Sequence, residues 1–240
     1  MLQENVSLIV PGVFFYPQLP ESLPTLEEDP LQVLSSCLGE QGVFAVYSYD
    51  EPVGQGVSLE SVKRFYERVK AINPQLPVMM IHKPIIADDV TLQTPEQKAA
   101  YLNDVKQYSQ YADIVGFDVY PIPSHIAQAI SPYSSDISTD YRIILDDYMK
   151  WLKTELPNKR LALVLQGFSF IHQFEEGYLE ENFPTDFLAT VRAPSKEELS
   201  EMVKVVLKHN AYVIWWGQSF LEEADLKLWE DILSVSREAR

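Results

Sequence analysis

Asp50 and Glu51 stand side by side where a strand-forming run stops, and Pro52 follows at once. The run before them, Val43-Phe44-Ala45-Val46-Tyr47-Ser48-Tyr49, is apolar, aromatic and β-branched, which predicts a buried strand. Proline forbids its continuation. A carboxyl group aimed from the end of such a strand can give a proton to a substrate oxygen, provided it is held protonated near neutral pH. Partial burial of Glu51 beside the charge of Asp50 would raise its pKa in that way. The plain alternative is an acid that caps the next helix or pairs with a lysine.

Polar and aromatic residues close the other strand-like runs as well. They are Tyr16, His82 with Lys83, Asp118 with Tyr120, Gln166, and Trp215-Trp216 with Gln218. The spacing of Asp118 and Tyr120 puts both on one side of a strand end, although a structural turn before Pro121 would use the same residues. His82 could meet a sugar hydroxyl or a metal, and a lone histidine serves equally as a hydrogen-bonded structural residue. Lys83 is expected to pair with the rim acids. Of Trp215 and Trp216, one indole is expected in the core and the other as a flat apolar platform for a sugar ring.

Asp50, Glu51 and Asp118 are therefore the candidate catalytic residues. Tyr16, His82, Tyr120, Gln166, Trp215 and Trp216 are the candidate substrate contacts. Asp50, Glu51, His82 and Asp118 could instead hold a divalent cation. No HxH or HxxxE ligand spacing supports that, so no metal or other cofactor is expected.

Six β-rich runs would position these groups: Val6 to Tyr16, Val43 to Tyr49, Pro77 to His82, Asp113 to Tyr120, Arg160 to Gln166 and Ala211 to Trp216. Stretches of helical spacing lie between them. Ser58 caps a predicted helix over Leu59 to Ile72, with Val62, Phe65, Val69 and Ile72 on one face. Thr94-Pro95-Glu96 opens a helix to about Tyr111, and Asp140 to Leu156 forms another. Ser195 and Glu198 form a capping box for a helix to about His209, and Ala224 to Arg237 is the last.

This alternation predicts an α/β fold with a parallel sheet covered on both faces. No glycine-rich phosphate loop follows the first strand, which disfavours a nucleotide-binding sheet. Functional groups at the C-terminal ends of the strands favour a TIM-type (β/α) barrel. Six strands are readable where a closed barrel has eight, so the first one or two units are either absent or hidden in the irregular segment Pro17 to Pro30; an incomplete barrel is the expectation, as a single domain over residues 1–240.

A formal net charge of −16 argues against nucleic acid and anionic membrane surfaces as partners and suits a neutral sugar. Cys37 is the single cysteine, which excludes an internal disulfide and a cysteine metal cluster. No signal-like or membrane-spanning stretch is read, so a soluble, cytoplasmic protein is the expectation. Oligomeric state is not legible.

Tyr49-Asp50-Glu51-Pro52 resembles the strand-four signature of clan A glycoside hydrolases, in which an Asn-Glu-Pro or Asp-Glu-Pro carries the acid/base glutamate. Ala112 to Ile122 is similar to strand six of glycosidase-like barrels, and Val164-Leu165-Gln166-Gly167-Phe168 to their strand seven. Arg192 to Leu199 with Tyr212 to Trp216 resembles their last helix and strand. The resemblance implies a TIM-type barrel acting on oligo- or polysaccharide, with the acid/base role on Glu51. It also implies a glutamate nucleophile at the end of strand seven, where this chain has Gln166. An amide cannot be an anionic nucleophile, so the double-displacement route through that position is closed.

Three readings follow. The chain hydrolyses a glycosidic bond with Glu51 as acid and Asp118 or Asp50 as base, or with assistance from a substrate acetamido group oriented by Asp50 and Tyr120. Alternatively, it binds carbohydrate without catalysis, or it holds a cation.

Overall fold

In the computed structural model the described residues are 8–11, 43–87, 89–92, 94–134, 138, 140–170, 185–217 and 223–239. Their elements run β1 (Leu8–Pro11), β2 (Val43–Asp50), α1 (Leu59–Ile72), β3 (Val78–His82) and α2 (Pro95–Tyr108). After a 3-10 turn at Ser109–Tyr111 come β4 (Ile114–Val119), α3 (Ser124–Ala127), α4 (Tyr141–Glu155) and β5 (Arg160–Gln166). The chain continues through α5 (Thr185–Leu188), α6 (Lys196–Leu207), β6 (Tyr212–Trp216) and α7 (Glu223–Glu238). The strands follow chain order in one sheet, β1-β2-β3-β4-β5-β6. The pairings β1–β2, β2–β3 and β5–β6 are parallel.

All six expected strands are present, and the α/β class holds. Six strands are found among the described residues, so the full eight-stranded closure of a barrel is not. Tyr16, Cys37 and Gln218, with the segment Pro17 to Pro30, lie outside the described residues.

The helices start where local chemistry directs them. Ser58 Oγ accepts from Ser61 N at 3.1 Å, which satisfies one of the donors left open at the start of α1. Thr94 and Gln97 form a reciprocal capping box for α2, at 3.2 Å and 2.9 Å. Asp140 caps α4 through Arg142 N. The Ser195–Glu198 box opens α6, and Arg192 grips the same glutamate with both guanidinium nitrogens at 2.6 and 2.7 Å.

The chain divides into two compact units that interleave in sequence. The first comprises Met1–Lys83, Tyr101–Gly116 and Asn158–Arg160. Its core holds the fully buried β3 and the buried Val62, Phe65 and Val69 of α1, with Phe65 edge-on to Tyr49 of β2 at 6.0 Å. Asp113 ties the strand starts together. Its Oδ2 accepts from Val78 N at 2.8 Å and lies 2.7 Å from Lys70 Nζ, while Lys159 Nζ donates to Ala112 O at 2.6 Å.

The second unit comprises Pro84–Ala100, Phe117–Pro157 and Leu161–Arg240. Phe117 packs on Tyr148 and Trp151 of α4, with ring centroids 4.7 and 5.7 Å apart. Strands β5 and β6 pair over five residues, ending at Gln166 opposite Trp216, and Gly167 N extends the pairing to Trp216 O at 2.6 Å. A Cβ on Gly217 would stand 2.5 Å from Gly167 O, so the backbones approach too closely for a side chain there. Among the described residues no helix is long and apolar enough to cross a membrane.

Candidate functional site

In the first unit the end of β2 carries the acids. Asp50 is exposed, and Tyr47 donates its phenol to Asp50 Oδ1 at 2.5 Å. The β2–β3 register shifts between Tyr47 and Asp50, which allows a pair three apart in the strand to meet. Glu51 is half-buried, and its backbone is left-handed at φ 39°. A non-glycine residue held in that region stores strain, and strained residues gather at functional sites. The turn after it is fixed by Gln55 N donating to Glu51 O and Val57 N to Pro52 O, each at 2.9 Å.

His82 ends β3 but has no surface to offer a ligand, being 1% exposed. Ser109 Oγ spends its proton on Val105 O at 2.6 Å, so it must accept from His82 Nε2–H at 3.0 Å. That assigns the tautomer. The substrate contact expected of His82 is thus replaced by a core role, because the side chain turns to the 3-10 turn after α2. Desolvation pushes its pKa down from 6.5 to about 3, so the ring is neutral.

Between those values the unfolded chain binds the proton and the folded chain does not, so this residue lowers stability as pH falls from 6.5 toward 3. The limiting slope is about 1.4 kcal/mol per pH unit. Urea unfolding at pH 7 and pH 5 should show a larger loss for the wild type than for His82→Gln. Equal losses would disprove a buried neutral imidazole.

In the second unit Asp118, 9% exposed, sits one residue before the end of β4. Its neighbour Phe117 faces α4, and strand alternation puts Asp118 on the other face. Tyr120 is half-buried and meets Phe168 edge-on at 5.0 Å, and Phe168 meets Phe170 at 5.3 Å. Trp215 Nε1 donates to Ser236 Oγ of α7 at 3.1 Å, so this indole packs toward the helix. Trp216 lies on the opposite face of β6 and is 50% exposed. One tryptophan is placed for packing and the other is open to contact.

Gln166 is fully buried, and both its amide protons are used. Nε2 donates to Ile122 O at 2.6 Å and to Phe168 O at 3.0 Å, while Oε1 accepts from Ile122 N at 2.9 Å. The side chain clamps the backbone before the cis Ile122–Pro123 peptide. A substrate contact from Gln166 is overturned by that pairing.

Two supports escaped sequence reasoning. Tyr148 Oη accepts from Ile85 N at 2.7 Å and donates to Ile130 O at 2.9 Å, which fastens the loop after β3 to the loop after β4. The stem of Lys83 lies against Gly54 in the turn that follows Glu51. No pattern of hydrophobic spacing encodes either contact. Among the described residues no group of three or more His, Cys, Asp or Glu side chains could hold a metal ion.

No protein-family model and no curated protein matches the chain. Solved structures do resemble it. A protein assigned as an alpha-L-fucosidase from Bacteroides thetaiotaomicron is 9% identical, with a TM-score of 0.49 over 87% of this chain and 60% of its own. Bee venom hyaluronidase is 14% identical, with a TM-score of 0.47 over 94% of this chain and 81% of its own. A glycoside hydrolase family 44 endoglucanase from Clostridium thermocellum is 13% identical, with a TM-score of 0.47 over 81% of this chain and 48% of its own. The chain thus spans between about half and four fifths of these proteins. At TM-scores below 0.5 these likenesses carry no argument about the chemistry of this chain.

Proposed function

We propose that this chain acts on carbohydrate, with Glu51 as the general acid that protonates the oxygen of a glycosidic bond. The observation that carries the reading is a glutamate at the end of a buried parallel strand, kept on a left-handed backbone that a glycine or asparagine would adopt at less cost. The resemblance of Tyr49-Asp50-Glu51-Pro52 to the clan A acid/base signature supports the assignment. Trp216, half exposed at the end of β6, has the flat apolar surface that a pyranose ring stacks on.

With Gln166 committed to the backbone, the reaction would not pass through a covalent intermediate at that position. Water would attack the anomeric carbon while a second carboxylate, with Asp50 as the candidate in the same unit, takes its proton. The C–O bond would break to a leaving group protonated by Glu51. An Asp50→Asn variant tests that second group, with a loss of turnover comparable to that of Glu51→Gln as the expected result.

The test is hydrolysis of a panel of 4-nitrophenyl glycosides by the wild type and Glu51→Gln. We expect the substitution to lower kcat by roughly 10²–10⁴-fold while glycan affinity stays within a few-fold. The occupied amide of Gln166 favours a second reading, a carbohydrate-binding protein without catalysis. Glycan binding with no turnover of any glycoside in the panel would select it. Neither binding nor turnover would remove both.

A further inference from the structure

The strained backbone of Glu51 needs something to hold it. Glu51 N donates to Ile81 O at 3.1 Å, which anchors the start of the turn on β3. The next anchor is Lys83, two residues further along the same segment. A Cβ built on Gly54 would stand 3.3 Å from Lys83 Cδ, 3.4 Å from Lys83 Cβ and 3.5 Å from Glu51 O. Gly54 therefore sits between the lysine stem and the Glu51 carbonyl, and a side chain there would press on the stem by a few tenths of an ångström. Lys83 is itself fixed, because the largely buried Tyr101 donates its phenol to the Lys83 carbonyl at 2.5 Å. Tyr108, also on α2, donates to Val57 O at 2.7 Å and holds the far end of the turn.

We propose that Lys83 is the positioning residue for Glu51: its aliphatic stem, carried on a backbone that Tyr101 holds, closes the 51–57 turn and keeps the Glu51 backbone left-handed. The stem does this by packing, as long cationic side chains do along apolar surface, whatever its ammonium meets. The catalytic consequence rests on Glu51 being the general acid. The hold on the turn rests on geometry alone.

Two measurements separate these claims. The first is urea unfolding of Glu51→Asn and Glu51→Ala in three backgrounds: wild type, Lys83→Met and Lys83→Ala. Asparagine tolerates the left-handed region, so in the wild-type background it should exceed alanine by roughly five- to thirtyfold in the folding equilibrium constant. The advantage should persist with Lys83→Met, which keeps a stem, and shrink below about twofold with Lys83→Ala, where the turn can relax. No advantage in the wild type, or an equal one in all three backgrounds, would overturn the proposal.

The second measurement uses any 4-nitrophenyl glycoside that the wild type turns over. Lys83→Ala should lower kcat by roughly 10–100-fold with KM nearly unchanged, as expected of a misplaced catalytic group. Lys83→Met should restore most of it. Equal losses in both variants would assign the effect to charge and overturn the stem argument. If the wild type hydrolyses nothing, the hydrolytic reading fails and the unfolding comparison still decides the role of Lys83.

Discussion

Gln166→Glu, the substitution that supplies a carboxyl at the expected nucleophile position, should destabilise the protein and create no retaining glycosidase. In the wild type Nε2 gives one proton to Ile122 O at 2.6 Å and the other to Phe168 O at 3.0 Å, in a side chain with no exposed surface. A carboxylate there would face two carbonyl oxygens with no proton to offer, and burial would drive its pKa upward. If the group took up a proton instead, it could satisfy only one of the two carbonyls. Either outcome leaves buried polar atoms in conflict, at a cost of about 3–5 kcal/mol. Chemical denaturation measures the loss, and a covalent glycosyl-enzyme trap tests for the nucleophile. A variant with wild-type stability that accumulates the covalent adduct would contradict the clamp.

Tyr148→Phe is the second large effect. The phenol is fully buried and bridges Ile85 N and Ile130 O, while Ile130 N donates to Ile85 O at 2.8 Å and Ala87 N to Gln128 O at 3.0 Å. Removing one oxygen strands a donor and an acceptor that no water reaches, which costs about 2–4 kcal/mol. Burial raises the phenol pKa far above its usual value, with Asp118 adding to the rise, so it remains a proton donor throughout the accessible range. The aromatic packing on Phe117 is unchanged by the substitution, which isolates the hydrogen bonds. We expect a fall in Tm and faster amide exchange confined to 84–92 and 121–134. A fall in Tm with no local change in exchange would show that Tyr148 supports the core rather than these loops.

The elements were legible because each is encoded locally. Val78 to Ile81 and Ile114 to Phe117 are continuous apolar runs, and the strands that contain them are buried throughout. Ser195 and Glu198 stand three apart and form the capping box that their spacing predicts. Asn73-Pro74 and Leu156-Pro157 end α1 and α4, because the residue before proline is driven from helical geometry. The short helices α3 and α5 were missed, since a single turn carries no readable period.

The candidate site was legible in residue type and much less so in role. His82, Gln166 and Trp216 all end strands, yet burial separates them: the first two are closed in the core and the third is open. Their partners lie 27 and 44 residues away in Ser109 and Ile122, and no period in the sequence records such a meeting. The sequence by itself determined the alternation of strands and helices, the caps that start the helices, and the placing of Asp50-Glu51 at a strand end. Tertiary structure alone decided that Glu51 has a left-handed backbone, that Lys83 lies on Gly54, and that Gln166 serves the main chain. The physical reason is range. Backbone propensity and solvent periodicity act over a few neighbouring residues, whereas burial and hydrogen-bond pairing are settled only when distant segments close on one another.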